Sequence, residues 1–282
     1  MVINAAARTD IGLVRSKNED FFYVDSEKGL FIVCDGLGGH VSGDVASSKA
    51  IEFAVDYLES QWKWIHSINS KVEPLDGFSL NQLVERTIQD TGERLIELGK
   101  SSPLFSGMAT TMTLLLIVDD TAVVGHVGDS RLYLRQGEVA TQLTCDHTLY
   151  ADFVKDNPDW ISENTDLDAI KRFQQVLTRC IGRKEKITVE TFTFEPRNGD
   201  VLLLCTDGLS NYFEDETEIA DLLQGNDVNE VAEGLIRFAN ECGGRDNITA
   251  VVMRIANVDD FVVRPQRIQI DLEDTGEYDF GC

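Results

Sequence analysis

Eight apolar runs of strand length are spread through the 282 residues, and their order limits the folds open to the chain. They cover residues 21–24, 30–34, 111–118, 122–127, 132–135, 189–194, 201–205 and 248–255. Val, Ile, Phe and Thr dominate most of them, and Gly or Asp closes them, as in β-strands. Three other segments carry helical spacing. One face is marked by Ala46, Ala50, Phe53, Ala54 and Tyr57, a second by Leu80, Leu83, Val84, Ile88 and Leu95, and a third by Val228, Val231, Leu235 and Ile236. Strands come first, then two helices together, then many strands, then helices and a last strand. Regular strand–helix alternation would predict a doubly wound parallel sheet. This order predicts an α+β fold, largely antiparallel, with helices grouped outside the sheets.

The same runs share a chemical feature. LFIVCDGLGGH places Asp35 at the end of one, AVVGHVGDSR places Asp129 after a second, and DVLLLCTDGLS places Asp207 after a third. GGRDNITAVVMRI puts Asp246 just before the last. Aspartate also suits turns, so one alone carries little. Together they matter, because strands of a common sheet bring their ends to a common edge. Carboxylates a few ångströms apart repel unless a cation sits among them. Carboxylates and backbone carbonyls are hard oxygen donors, suited to Mg²⁺, Mn²⁺ or Ca²⁺ and not to Zn²⁺ or copper. A pair of such ions makes a hydrolytic centre.

Composition excludes several alternatives. Lys and Arg total 25 against 49 Asp and Glu, a formal charge of −24 that repels polyphosphate and argues against nucleic-acid binding. The longest uncharged stretch, 101–118, is too rich in Ser, Thr, Gly and Pro to span a membrane. The first residues lack the apolar core of a secretory signal. Six cysteines without a CxxC pair suggest neither a zinc site nor a disulfide framework, so the expected location is cytoplasmic. The Gly99–Ser101 triplet lacks the earlier glycine of a P-loop, Arg94 standing in its place. No cysteine precedes an arginine at the spacing of a cysteine-based phosphatase loop, and no HExxH or GxSxG stretch occurs.

Read in order, seven motifs resemble the metal-dependent protein phosphatase family, type 2C, in its bacterial-style form. They are RSKNED at 15–20, DGLGGH at 35–40, GMATT at 107–111, GHVGDSR at 125–131, DHT at 146–148, TDGLSN at 206–211 and GGRDNIT at 243–249. The resemblance implies a protein serine/threonine phosphatase in which metal-activated water attacks phosphoserine or phosphothreonine directly. It implies two core Mn²⁺ or Mg²⁺ ions and a weaker third. Asp35 would bridge the core pair with the Gly36 carbonyl on one ion, and Asp207 and Asp246 would complete the other's shell. Glu19 would act through metal-bound water with Asp20 beside it, and Asp129 would help hold the third ion. Arg15 would grip the substrate phosphate, its planar fork matching two oxygens.

Some relatives carry a His after the DG pair as general acid; here the position is Leu37. His40 is a candidate acid, a structural role in the GGH turn is the alternative, and a water on the third ion is the preferred donor. His126 and His147 read as structural. The implied fold is a four-layer α-β-β-α sandwich, two antiparallel sheets flanked by antiparallel helix pairs. One catalytic domain would span 1–256, with a flap at about 146–173 beside the site and an acidic tail at 257–282, either solubilising or able to occupy the position around Arg15. The expected partners are phosphoprotein substrates, with no nucleic acid and no membrane, and the protein is expected to be a monomer. Two rivals share the features: an inactive phosphoprotein-docking protein of the same fold, and a hydrolase of small phosphate esters.

Overall fold

The computed structural model describes residues 1–37, 42–67, 79–157, 167–184 and 186–256. His40, the tail 257–282 and residues 158–166 of the flap lie outside the described residues. The first of two antiparallel sheets has the order β1 (Val2–Asp10), β11 (Ile248–Ala256), β10 (Val201–Cys205), β7 (Arg131–Gln136) and β8 (Val139–Gln142). The second runs β2 (Asp20–Asp25), β3 (Leu30–Leu37), β5 (Met112–Val118), β6 (Thr121–Val127) and β9 (Glu190–Phe194). The short β4 (Ala109–Thr110) pairs with β3.

The central strands are apolar along their whole length because both of their faces are covered. On β10, Leu202 and Leu204 pack between the sheets, while Val201, Leu203 and Cys205 face helices. On β3, Phe31 and Val33 point between the sheets and Leu30, Ile32 and Cys34 point outward. The pleat sends alternate residues to opposite faces, so two apolar layers erase the usual polar alternation. Helices α1 (Gly43–Ser60) and α3 (Leu80–Ser101) cover the outer face of the second sheet. Helices α7 (Glu216–Leu222) and α8 (Val228–Glu241) cover that of the first. This is the four-layer α-β-β-α arrangement implied by the motifs.

The first strand was not expected from the sequence. Its residues, VINAAARTD, contain three alanines in a row and show no clean alternation. It forms because it pairs along its full length with β11, from Val2 opposite Ala256 to Asp10 opposite Ile248. Partner and register here override local propensity. The short β8, with only Ala140 fully buried, was also missed. The polar excursion of 146–173 contains two helices, α4 (Leu149–Asp156) and α5 (Leu167–Gln174). No residue of α4 is buried, and this accounts for its faint apolar pattern. The remaining helices are α2 (Trp62–Ser67) and α6 (Asp207–Ser210).

Candidate metal centre

The strands deliver their acidic residues to one edge shared by both sheets. Asp20 opens β2 and stands directly opposite Asp35 of β3 in the strand register. Asp207 follows β10 as the first residue of α6, and Asp246 precedes β11. Asp129 lies in the turn that carries the chain from β6 in one sheet to β7 in the other. Asp35, Asp129, Asp207 and Asp246 line a cleft of about 720 Å³, together with Arg15, Glu19 and Gly36. Asp20 lies beneath it, 4% exposed.

Hydrogen bonds fix this frame from behind. Asp20 Oδ2 accepts the hydroxyls of Thr206 at 2.8 Å and Thr249 at 2.7 Å, tying β2 to both central strands of the other sheet. The Asp35 N–H donates to Thr111 Oγ1 at 2.9 Å, and the Asp35 carbonyl accepts the Thr110 hydroxyl at 2.7 Å. Asn247 holds the Arg15 loop. Its Nδ2 donates to the carbonyls of Ile11 at 3.0 Å and Lys17 at 2.9 Å, and its Oδ1 accepts the Glu19 N–H at 2.8 Å. Arg15 itself donates to Asp246 Oδ2 at 2.6 Å, with both side chains partly open to solvent. Gly36 is required by closeness of backbone: a Cβ there would run into the Gly43 carbonyl at the start of α1 and the Glu19 carbonyl.

The electrostatics of the cleft are those of crowded like charges. Burial, with the neighbouring Asp20, Asp207, Asp129 and Asp246 added, pushes the Asp35 carboxyl well above the ordinary range. Asp129 is raised likewise, by burial and then by Asp207 and Asp146. Burial and Asp246 push Asp207 up to about 6, and burial is the main cause of the rise of Asp20 to about 7. Two carboxylate oxygens, Asp20 Oδ1 and Asp207 Oδ1, are buried with no hydrogen-bond donor. A buried anionic oxygen without a donor is costly, and a hard divalent cation is the partner this set of oxygens fits.

The expected residues Arg15, Glu19, Asp20, Gly36 and the four strand-end aspartates are thus brought together. Asn247, Thr206 and Thr249 were not singled out as functional. Their signal lay in the motifs, where Asn247 follows Asp246 and Thr206 precedes Asp207. A second grouping of metal-type donors, His126, His147 and Glu190, was also unforeseen as a cluster. Its ring nitrogens are committed elsewhere. His126 Nε2 faces the Cys145 carbonyl at 3.1 Å, so it bears the proton, and Nδ1 shares the Thr113 hydroxyl at 2.9 Å with the Ser130 carbonyl. Burial and His147 lower the His126 pKa to about 4, keeping the ring neutral. His147 Nδ1 accepts the Gly128 N–H at 3.1 Å, and its Nε2 stands 3.3 Å from Glu190 and 3.0 Å from Arg179 Nη1. Each ring nitrogen is engaged by a protein partner, so this is a hydrogen-bonded node.

Comparison with known proteins gives a consistent picture. A family model described as Protein phosphatase 2C matches residues 14–249. The chain is 34% identical over 256 residues to the serine/threonine phosphatase stp of Listeria monocytogenes, covering 89% of this chain and 95% of that one. It is 32% identical to the protein phosphatase PhpP of Streptococcus pneumoniae, covering 89% and 97%. Among solved structures, the Mycobacterium tuberculosis serine/threonine phosphatase PstP/Ppp matches with a TM-score of 0.76 at 31% identity, covering 91% of this chain and all of that one. A structure of the PstP catalytic domain with two manganese ions matches with a TM-score of 0.74 at 32% identity, covering 91% and 99%.

Proposed function

The chain belongs to the protein phosphatase 2C family and is a metal-dependent protein serine/threonine phosphatase, and on that premise we propose which residues do the work. The Asp35 carboxylate and the Gly36 carbonyl would hold the two core ions. Asp207 and Asp246 would supply further oxygens, Glu19 would act through bound water, and Asp129 would help to hold a weaker third ion. Mn²⁺ or Mg²⁺ suits all of these oxygen ligands. When bound, the ions supply an activated water and neutralise phosphoryl charge.

The protein's own part is positioning. Asp20, fixed by two threonine hydroxyls, backs Asp35 and keeps β2 in register. Asn247 sets the loop so that Arg15 reaches over the cleft. Arg15 leaves Asp246 to take two oxygens of a phosphoserine or phosphothreonine, since a guanidinium fork matches the phosphate edge. Water held near Asp129 would supply the proton to the departing serine or threonine oxygen, with His40, outside the described residues, as the alternative donor. Among the described residues no helix is long and apolar enough to cross a membrane.

The observation that carries this reading is the convergence of five aspartates from distant parts of the chain, two of them with donorless buried oxygens. The test is phosphate release from a phosphothreonine peptide during Mn²⁺ titration. Activity should appear with added Mn²⁺ and vanish with excess chelator. Full activity in chelator would overturn the assignment. Turnover of free phosphate metabolites above that of phosphopeptides would instead favour a small-ester hydrolase.

A further inference from the structure

His147 joins the neck of the flap to the turn that carries Asp129. Its backbone N–H donates to the Gly128 carbonyl at 2.7 Å while its Nδ1 accepts the Gly128 N–H at 3.1 Å. One residue therefore grips Gly128 at both polar groups. Gly128, at φ +118, presses on its other side against Thr111, whose hydroxyl accepts the Asp35 N–H. On the flap side, the His147 carbonyl accepts the Thr178 N–H at 2.8 Å, and Leu149 N–H donates to the Val176 carbonyl at 2.8 Å. Thr148 and Leu177 form a bridge between the two legs of the neck, and Leu177 lines the cleft. His147 is 3% exposed, so protein groups surround it in place of solvent.

The imidazole is asked for one lone pair too many. Arg179, on the outgoing leg of the neck, places Nη1 3.0 Å from His147 Nε2. A guanidinium only donates, and so does the Gly128 N–H. A neutral ring has one acceptor nitrogen, so it can accept from Gly128 or from Arg179 and not from both. When Nδ1 accepts from Gly128, the Nε2 proton goes to Glu190. When Nε2 accepts from Arg179, the Nδ1 proton opposes the Gly128 N–H and pushes the turn away.

We propose that His147 is a positioning residue that sets the flap neck and the Asp129 turn in competition: Arg179 bonded to the ring loosens the turn, and Gly128 bonded to it holds Asp129 in place for its ion. The proposal rests on the reading above that Asp129 holds the weaker ion. Coupling of this kind is reciprocal, so ion binding at Asp129 also frees Arg179 from the ring. Whatever substrate displaces Arg179 then favours the metal-loaded site.

Two replacements separate the ring nitrogens, since the oxygen of Asn overlaps the position of Nδ1 and the amide of Gln that of Nε2. The full-length protein is titrated with Mn²⁺, free ion being counted by electron paramagnetic resonance, and amide exchange is followed at Gly128 and Thr178. His147→Gln should weaken the weakest Mn²⁺ class by about tenfold or more and speed Gly128 exchange. His147→Asn, which keeps the acceptor for Gly128 and removes that for Arg179, should tighten that class as Arg179→Leu does and leave Gly128 exchange no faster. Arg179→Leu should tighten the same class several-fold, the opposite of what a merely structural loss would do. Equal weakening by the Asn and Gln variants, or weakening by Arg179→Leu, overturns the proposal. Asp129→Asn distinguishes the two layers of the argument. If it leaves the Mn²⁺ isotherm unchanged, the ion assignment fails; if Gly128 exchange is also unmoved in His147→Gln, the clamp fails independently.

Discussion

Two buried polar clusters lie on either side of the Asp129 turn, and they are opposite in kind. Around Asp35 and Asp207 the groups share one sign, two oxygens have no donor, and burial raises the carboxyl pKa values. Around His126 donors and acceptors are mixed, the ring itself is neutral, and each of its nitrogens has a partner. A saturated cluster is complete as folded. A cluster of unsatisfied carboxylates is complete only with a cation. Burial alone therefore does not mark a functional site; the imbalance of donors and acceptors does.

The comparison breaks most sharply at Asp207. Asp207→Ala should lower kcat/KM on a phosphothreonine peptide by at least ~10²-fold, more than the loss of an outer partner of a metal site. The metal-free variant should melt no lower than the natural protein, because a crowded charge has been removed. A lower melting temperature in chelator would mean that the carboxylate is structural. In the saturated cluster the expectation is reversed. Thr113→Val strands the His126 Nδ1 and the Ser130 carbonyl, and should cost about 1–3 kcal/mol in urea unfolding with the Mn²⁺ midpoint of activity unchanged.

Arg15 sits at the rim of the first cluster, and a subtler change is expected there. Arg15→Lys keeps the charge and loses the fork, so KM for phosphopeptides should rise about tenfold with kcat retained. An unchanged KM would leave Arg15 as a surface ion pair with Asp246.

The smallest effect is a dependence of stability on pH. Without metal, Asp207 keeps its proton up to about 6 and Asp20 up to about 7, against an ordinary value of 3.8. The folded state then binds more protons than the unfolded chain, so stability is highest below that ordinary value and falls as pH rises through 6 and 7. Mn²⁺ should thus raise Tm more at about pH 7.5 than at about pH 5, where protons compete for the same oxygens. Equal shifts at both pH values would show that these carboxyls are not the ligands.

How far the sequence was legible depended on whether the cause of a feature was local. Strands β3, β5, β6, β10 and β11 could be read because runs of consecutive apolar residues must be buried wherever they pack. Strand β1 could not, because its alanines acquire strand geometry only from pairing with β11 at the far end of the chain. The helices of the flap were hidden for a related reason: α4 buries nothing, so no apolar stripe announces it. At the site, Asp35, Asp129, Asp207 and Asp246 stood out because each borders an apolar run. Asn247 did not, since its importance lies in three bonds to a loop more than 200 residues away.

By itself the sequence determined the acids, the glycine at position 36 and the order of strands, since these follow from side-chain chemistry and apolar patterning along a short stretch. Tertiary structure alone decided that Asp20 faces Asp35 across a strand pair, that two aspartate oxygens are left without donors, and that His147 stands between the Asp129 turn and the flap neck. Convergence is a property of register and packing between segments far apart in the chain, and no local pattern of residues encodes it.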